Sequence, residues 1–197
     1  MFKALLINSE KDEPRMSDMS EDVLRQDGVL VKVEYSTLNY KDCLAILHGK
    51  PIIRKYPMVT GIDFCGTVLN DPSSRFKAGS KVLMTGFGMG EKFWGGHSEL
   101  ASVDASFLLD IPSGFTMKNA MQCGTAGLTA SMAVLKLRDF GLTPESGKIL
   151  VTGASGGVGT ISIILLQKLG FHVIGATSNK KNFEFLKNLG VQEIIET

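Results

Sequence analysis

The sequence predicts an α/β chain of two parts, a β-rich region over residues 1–117 and an incomplete doubly wound parallel sheet over residues 118–197. Three observations lead to this prediction. Short apolar runs punctuated by Gly, Pro, Asp and Ser fill the first part, as they do in small barrels and sandwiches. Helical and strand-like patterns alternate in the second part, which favours parallel pairing. Glycine contributes 22 of the 197 residues, and several of these glycines lie between a strand and a helix of the second part.

The elements of the first part are five strands and one short helix. The strands are predicted over residues 2–7, 28–35, 61–69, 80–85 and 98–103, and apolar and polar residues alternate most clearly near the end of the second run. The helix is predicted over residues 39–48, where Leu44, Ile46 and Leu47 are the apolar residues of a possible helical face. This order predicts a small barrel or sandwich with loops.

The second part alternates helix and strand. A helix over residues 118–140 ends at Gly141, and a strand over 148–152, a helix over 158–169, a strand over 172–177, a helix over 180–189 and a strand over 191–195 follow it. This order has about three strands, whereas the usual doubly wound sheet has ~6. We therefore expect the sequence to be the front part of a longer protein.

Composition excludes several classes of function. With 21 basic and 20 acidic residues, the chain has no basic excess that would neutralise the phosphates of a nucleic acid. Cys43, Cys65 and Cys123 are far apart and form no CxxC pair, which indicates a reduced, cytoplasmic protein. Residues 1–24 carry charges throughout, and the longest apolar run, residues 161–166, is too short for a bilayer. Neither nucleic-acid nor membrane partners are therefore expected.

The glycine-rich loop over residues 152–159 matches a dinucleotide-binding fingerprint. In that fingerprint the first glycine makes the turn, the second lets the backbone approach the pyrophosphate, and the third lets the helix pack on the strand. Ala154, Gly156 and Gly159 stand at these three positions. The amides that begin the next helix would face the phosphates. The candidate cofactor-binding residues are Ala154, Ser155, Gly156, Gly157, Val158 and Gly159; the alternative is a glycine turn that binds nothing.

The residues after the second parallel strand favour NADPH over NADH. They are Thr177, Ser178, Asn179, Lys180 and Lys181. A cofactor without the 2′-phosphate is usually met here by Asp or Glu, and no acid occurs before Glu184. A hydroxyl can hydrogen-bond a 2′-phosphate and a lysine can neutralise it. Thr177, Ser178, Asn179 and Lys181 are therefore candidate ligands of NADP(H); the alternative is that the lysines only form a solvated first helical turn.

Five ordered motifs resemble one protein family. They are LNYKD at residues 38–42, YPMVTGID at 56–63, WGGHSE at 94–99, GTAG at 124–127 and VTGASGGVG at 151–159. The chain is similar along its whole length to the zinc-independent medium-chain dehydrogenase/reductases of the acrylyl-CoA reductase or quinone oxidoreductase type. The resemblance implies a GroES-like catalytic domain followed by a partial Rossmann domain, with the cofactor in the cleft between them. It also implies a homodimer when the protein is full length.

The resemblance further implies hydride transfer from NADPH to an enoyl-CoA or a quinone. Tyr40 is the candidate donor to the substrate's carbonyl oxygen, with Asn39 beside it and Asp42 orienting the loop. A Tyr40 ring that packs on the nicotinamide without proton transfer is equally compatible, and Asp42 also suits a turn or helix cap. Thr125 is a candidate nicotinamide contact. Glu193 stands where some relatives carry a basic residue near the ribose phosphate, which weakens the preference for NADPH.

No metal site is expected. Zinc-dependent relatives place a cysteine where this chain has Asn39, a histidine where it has Ile62, and a third ligand close to Cys123. A tetrahedral zinc site needs several nitrogen or sulfur ligands, and Cys123 has no such partners in the sequence. We therefore expect Cys123 to be a small buried side chain of a helix, and His48, His97 and His172 to be structural or exposed.

Two further sets of residues have less specific interpretations. Met84, Phe87, Met89, Phe93 and Trp94 would line an acyl or quinone pocket or form core. Lys50, Arg54 and Lys55 would meet a CoA phosphate or be solvated. Three functions therefore remain open: reduction of an enoyl thioester such as acrylyl-CoA, reduction of a quinone or enone, and a catalytically inactive fragment that serves as an interaction module.

Overall fold

The structure is a computed structural model that describes residues 1–48 and 51–197. It contains two compact units, Met1–Thr125 and Ala126–Thr197. The elements in chain order are β1 (Phe2–Ile7), β2 (Arg15–Met19), β3 (Val29–Ser36), α1 (Tyr40–His48), β4 (Met58–Val59), β5 (Asp63–Asn70), β6 (Lys81–Thr85), β7 (Leu100–Val103), β8 (Leu109–Asp110), α2 (Met117–Asp139), β9 (Ile149–Val151), α3 (Gly157–Lys168), β10 (Val173–Thr177), α4 (Phe183–Asn188) and β11 (Glu193–Glu196).

The first unit is built from antiparallel sheets. One sheet has the order β7-β3-β5-β6-β8, and a second has the order β2-β1-β4. Phe64, Val82 and Met84 are fully buried in the core of the larger sheet, where alternate residues of each strand point inward. The predicted β-rich fold is confirmed, and the first strand has the predicted bounds.

Three short strands of the first unit were not predicted. They are β2, β4 and β8. The segment RMSDM of β2 has mixed polarity and no apolar alternation, and it becomes a strand because β1 pairs with it from Phe2 opposite Met19 to Leu6 opposite Arg15. Pairing with a neighbour therefore overrides weak local propensity.

The predicted continuous helix over residues 118–140 is wrong in one respect. Gly124 interrupts α2 with φ +49° and ψ −154°, so two helical segments meet there. A Cβ atom on Gly124 would lie 2.8 Å from Asp63 Oδ2 and 3.1 Å from Thr37 Cγ2. Because only glycine combines this backbone conformation with this close approach, the break is dictated by residues distant in sequence.

The second unit contains a parallel sheet of order β11-β10-β9, which confirms the predicted parallel arrangement. Ile163, Leu166 and Leu186 pack its helices against the strands and are almost fully buried. The predicted helix over residues 180–189 is divided into a 3-10 turn, Lys180–Asn182, and α4. Within residues 1–48 and 51–197, none of the helices is both long and apolar enough to cross a bilayer.

Candidate functional site

The fingerprint loop connects β9 to α3 in the second unit. The Ala154 amide donates to the Ala176 carbonyl at 3.0 Å, and the Gly156 amide donates to the Gly153 carbonyl at 2.9 Å. Gly153 has φ +58°, in the left-handed region that favours glycine. These bonds hold the loop as a tight turn at the carboxyl end of the sheet, the edge at which ligands of such folds bind.

The loop residues fit the pyrophosphate of a dinucleotide. A Cβ atom on Gly159 would clash with the Gly153 carbonyl oxygen, and one on Gly156 would lie 3.3 Å from the same oxygen. Both glycines therefore let backbone approach where a side chain would intrude. The amides of Gly157 and Val158 are in the first turn of α3, which leaves its N–H groups without intrahelical acceptors. They can donate to phosphate oxygens, and the helix dipole favours an anion there.

Hydroxyl and amide side chains at the end of β10 and after it lie at the same edge of the sheet as the fingerprint loop. The hydroxyls of Ser155 and Thr177 lie 3.2 Å apart, and the Asn182 side-chain amide donates to Ser155 Oγ at 2.9 Å. The side chain of Asn179 accepts from the Lys181 amide at 3.0 Å and caps the 3-10 turn. Thr177 and Asn182 are thus joined by hydrogen bonds to Ser155 of the fingerprint loop. Asn182 was not among the predicted residues.

Ser178 and Lys181 are exposed at this edge, where their side chains are accessible to a ligand. Lys180 instead forms an ion pair with Glu196, with 2.9 Å between Nζ and Oε2. Lys181, the lysine assigned to the cofactor, has no carboxylate partner among the described ion pairs.

The prediction that Glu193 lies near the ribose phosphate is corrected by the structure. Glu193 pairs in register with Ile174, near the amino end of β10, whereas the fingerprint loop is at the carboxyl end of the strands. Its carboxylate binds Lys148 Nζ and lies 3.0 Å from His172 Nε2. The hydrogen bond from Lys148 lowers the pKa of Glu193. Glu193 therefore lies away from the edge that carries the candidate residues for the 2′-phosphate.

Asp63 organises the candidate residues of the first unit. Its fully buried carboxylate accepts hydrogen bonds from Thr37 Oγ1 at 2.8 Å and Asn39 Nδ2 at 2.9 Å. It also accepts from the Thr125 amide at 2.9 Å and from Thr125 Oγ1 at 2.5 Å. Four donors thus offset the cost of burying this charge. Sequence reasoning missed the role, although Asp63 closes one of the five motifs.

Asp42 caps the start of α1. Its Oδ2 accepts the backbone amide of Asn39 at 2.8 Å, and its Oδ1 accepts that of Ile62 at 2.9 Å. The carboxylate is almost fully buried and stands three residues after Asn39, as the acidic residue of a capping box does. Asp42 therefore links α1 to the segment that precedes β5.

Tyr40 is the first residue of α1, and its side chain is 79% exposed. The next residue, Lys41, forms an ion pair with Glu91 at 2.6 Å, which anchors this turn to the loop before β7. The structure thus brings Asn39, Asp42 and Thr125 into one partly buried hydrogen-bond network with Asp63, and it places the phenol of Tyr40 outside that network.

The residues at the zinc-ligand positions have other roles. Asn39 donates to Thr37 and Asp63, and the apolar side chain of Ile62 is buried. The prediction that Cys123 is buried is wrong: Cys123 is exposed because the buried residues of this segment are Ala120, Met121 and Gly124. In the part of the chain that the structure describes, no three His, Cys, Asp or Glu side chains gather as metal ligands do.

The histidines have local structural partners where they are described. The ring of His97 lies 2.8 Å from Thr60 Oγ1 through Nδ1 and 2.9 Å from the Thr37 carbonyl through Nε2. His172 faces Glu193. The side chain of His48 lies outside the described residues.

The aromatic and methionine residues divide between core and surface. Met84 and Met89 are fully buried in the core of the larger sheet. Phe87 and Phe93 are partly exposed and contact Phe107, the first in a stacked geometry with ring centroids 4.6 Å apart.

The three cations proposed for a CoA phosphate have different surroundings. Arg54 forms an ion pair with Glu91, with 3.5 Å between Nε and Oε1. Lys55 and Trp94 both line a surface cavity of about 320 Å³. Lys50 is outside the described residues.

Comparison with known proteins gives consistent matches. Residues 25–113 match the alcohol dehydrogenase GroES-like domain. Acrylyl-CoA reductase AcuI of Ruegeria pomeroyi is 44% identical over 199 residues, which cover 99% of this chain and 60% of that protein. The crystal structure of Escherichia coli K-12 YhdH with bound NADPH has a TM-score of 0.92 at 44% identity and covers 98% of this chain and 60% of that one. The structure of Bacillus subtilis yhfP with NAD bound has a TM-score of 0.94 at 43% identity, with coverages of 99% and 60%.

This chain therefore spans 60% of the length of these relatives. The match extends over both units and includes the antiparallel sheets, the fingerprint loop and the parallel sheet. The chain belongs to the medium-chain dehydrogenase/reductase family and is similar, within that family, to proteins named as acrylyl-CoA reductases and quinone oxidoreductases.

Proposed function

We propose that the full-length protein containing this chain is an NADPH-dependent reductase that transfers hydride to the activated C=C bond of a small enoyl thioester such as acrylyl-CoA. Residues 1–117 form its catalytic domain and residues 118–197 the first part of its NADP-binding domain. The observation that carries the proposal is the fingerprint loop followed by an edge of hydroxyls, amides and lysines, with no acid over residues 177–183. The 44% identity to an acrylyl-CoA reductase supports the substrate class.

The bound cofactor would supply hydride while negative charge develops on the substrate's carbonyl oxygen. The Asn39 side-chain amide donates to Thr37 Oγ1 at 2.7 Å and to Asp63 Oδ2 at 2.9 Å, and these two oxygens lie 2.8 Å from each other. The two bonds therefore fix the orientation of Asn39 against Asp63. Thr125 also donates its hydroxyl proton to Asp63. We therefore assign Asn39 and Asp42 to positioning, Thr125 to contact with the nicotinamide, and proton donation to the exposed phenol of Tyr40.

Replacing Tyr40 with Phe in the full-length protein tests this assignment. Loss of a general acid lowers turnover by about 10²- to 10⁴-fold, whereas the affinity for NADPH, measured by fluorescence titration, stays within about threefold. Tyr35→Phe is the matched control because Tyr35 is another exposed tyrosine of the first unit. Unchanged turnover in Tyr40→Phe would mean that the ring packs against the nicotinamide without transferring a proton.

The activity itself is tested by assaying the 197-residue chain and the full-length protein with acrylyl-CoA and with a simple quinone. Because this chain spans only part of its relatives, we expect it to bind NADPH but to hold the reactive ring loosely. A misplacement of ~1 Å can lower the rate about a hundredfold, so the chain alone should reduce either substrate poorly or not at all. Equal turnover by the two proteins would contradict this account.

The same assay separates the competing functions. Faster reduction of acrylyl-CoA than of the quinone by the full-length protein supports the proposal, and the reverse order identifies a quinone reductase. Failure of both proteins to bind NADPH would favour an interaction module without catalysis.

We further propose that the full-length protein is a cytoplasmic homodimer. The odd number of widely separated cysteines favours a reducing compartment. Light scattering during size-exclusion chromatography tests the dimer, and a monomeric mass at micromolar concentration would contradict it.

A further inference from the structure

Asn182 lies where the 3-10 turn Lys180–Asn182 passes directly into α4, and its backbone is helical, with φ −86° and ψ −3°. Asn179 supplies the side-chain cap of this helical run by accepting the Lys181 amide. The Asn182 side chain makes no capping bond. Its Nδ2 instead donates to Ser155 Oγ at 2.9 Å, 27 residues earlier in the chain. The side chain therefore links the start of α4 to the fingerprint loop.

The hydrogen bonds around Ser155 leave one hydroxyl proton available for a ligand. Ser155 Oγ accepts from Asn182, and Thr177 Oγ1 accepts from the Asn179 amide at 3.4 Å. The two hydroxyls lie 3.2 Å apart, so one of them donates to the other. Each hydroxyl has one proton, and only one of these two protons forms the bond between the hydroxyls. The other proton is available for an acceptor outside the pair. An acceptor such as a phosphate oxygen satisfies that proton.

We propose that Asn182 is a positioning residue for cofactor selectivity, which holds the Ser155–Thr177 hydroxyl pair as a hydrogen-bond donor to the 2′-phosphate of NADP(H). This inference rests on the proposed preference for NADPH and adds a residue that determines it. The uncharged amide is essential to the arrangement because it donates to Ser155. A carboxylate in its place would accept the Ser155 proton and would also repel the phosphate.

The test measures the binding of two probes that lack the nicotinamide, adenosine 2′,5′-bisphosphate and adenosine 5′-monophosphate, by titration calorimetry on the 197-residue chain. The wild-type chain should bind the bisphosphate more tightly. Asn182→Asp keeps the size of the side chain and should lower the affinity ratio of bisphosphate to monophosphate by about tenfold or more, as expected for a lost hydrogen bond to a charged group. Asn182→Ala should lower the ratio by less, because it adds no repulsive charge.

The matched control is Asn188→Asp, which adds the same charge at the exposed last residue of α4. Its ratio should stay within about twofold of the wild-type value, since the charge lies away from the hydroxyl pair. The ratio compares two probes on one sample, so a general loss of folded protein cancels. Equal binding of both probes by the wild-type chain would overturn the NADPH preference and this inference together. A wild-type preference that Asn182→Asp retains would overturn only the role of Asn182.

Discussion

The carboxylate of Asp63 accepts two hydrogen bonds from Thr125, which lies 62 residues further along the chain, one from the backbone amide at 2.9 Å and one from the hydroxyl at 2.5 Å. This pair joins the first residue of β5 to the residue that follows the break in α2. Asn39 reaches the same carboxylate from the start of α1. A single buried acid therefore aligns three segments that carry candidate site residues.

Replacing Asp63 with Asn should destabilise the first unit. An amide nitrogen cannot accept a hydrogen bond, so at least one of the four donors around it would lose its partner. We expect the free energy of unfolding to fall by about 1–3 kcal/mol. Urea unfolding followed by fluorescence of Trp94, the single tryptophan of the chain, reports on this unit. Asp110→Asn, at an exposed position of β8, is the control and should change stability by less than about 0.5 kcal/mol. Equal effects of the two substitutions would contradict a special role of Asp63.

Replacing Gly124 with Ala should destabilise the same unit more than the same change at another glycine of positive φ. Gly114 also has a left-handed φ, +85°, but a Cβ atom there would meet no heavy atom within 4 Å. Gly114→Ala should therefore lower the unfolding free energy only by the backbone cost of about 1–2 kcal/mol. At Gly124 the ψ of −154° lies outside the left-handed well and a Cβ atom would also meet Asp63, so Gly124→Ala should exceed that loss by about 1–3 kcal/mol in the same urea experiment. If the two variants unfold at the same urea concentration, neither the backbone angles nor the contact with Asp63 makes Gly124 special.

Replacing Ser178 with Asp should shift cofactor preference from NADPH towards NADH. The new carboxylate would face the 2′-phosphate, whereas the exposed serine hydroxyl can donate to it. Fluorescence titrations should give an NADPH affinity lower by about tenfold or more, with the NADH affinity within about threefold. Asn188→Asp controls for the added charge. An unaltered ratio of the two affinities in Ser178→Asp would remove Ser178 from the proposed site.

The buried Cys65 should resist alkylation that modifies Cys123. Burial raises the pKa of the Cys65 thiol to about 11, and the reactive species is the thiolate. Iodoacetamide at pH 8.5, followed by mass spectrometry, should label the exposed Cys123 first and label Cys65 only after unfolding in urea. Faster labelling of Cys65 in the folded protein would contradict its burial.

The raised pKa of Cys65 also makes the free energy of unfolding depend on pH. The pKa of Cys65 in the folded protein lies above its ordinary value of 9.0, so the stabilising contribution of the protonated thiol is complete below pH 9. It is lost as the pH rises through about 11. Replacing Cys65 with Ala should therefore reduce the difference in urea midpoint between pH 8 and pH 11, and an unchanged difference would assign that pH dependence to other groups.

Local sequence patterns predicted the parts of the fold that depend on near neighbours. The apolar run of β1 and the glycine loop between β9 and α3 could be located because their signals lie within a few consecutive residues. The helical pattern around Gly124 predicted a continuous helix because the pattern carries no information about Asp63. The break depends on a contact between residues that are distant in sequence, which no local periodicity encodes.

The candidate site could be predicted only where a motif names its residues. Tyr40 and Ser155 lie within recognisable motifs, whereas Thr37 and Asn182 are ordinary polar residues until the fold brings them to Asp63 and Ser155. Cys123 was expected in the core because cysteine is usually buried, but the orientation of its helical segment places it outward. Which face of a helix is buried depends on the elements that pack against it, and the sequence of the helix alone does not show this.

The two ends of the parallel sheet differ in chemistry. Its amino end holds the charged group of Lys148, His172 and Glu193, whereas its carboxyl end holds the hydroxyl pair of Ser155 and Thr177 and a separate ion pair of Lys180 with Glu196. Substitutions that alter the choice of coenzyme therefore need not touch the ionic contacts at the other end. Residues at the carboxyl end of the sheet can therefore be randomised in a search for altered coenzyme choice, while the ionic contacts at the amino end are kept unchanged.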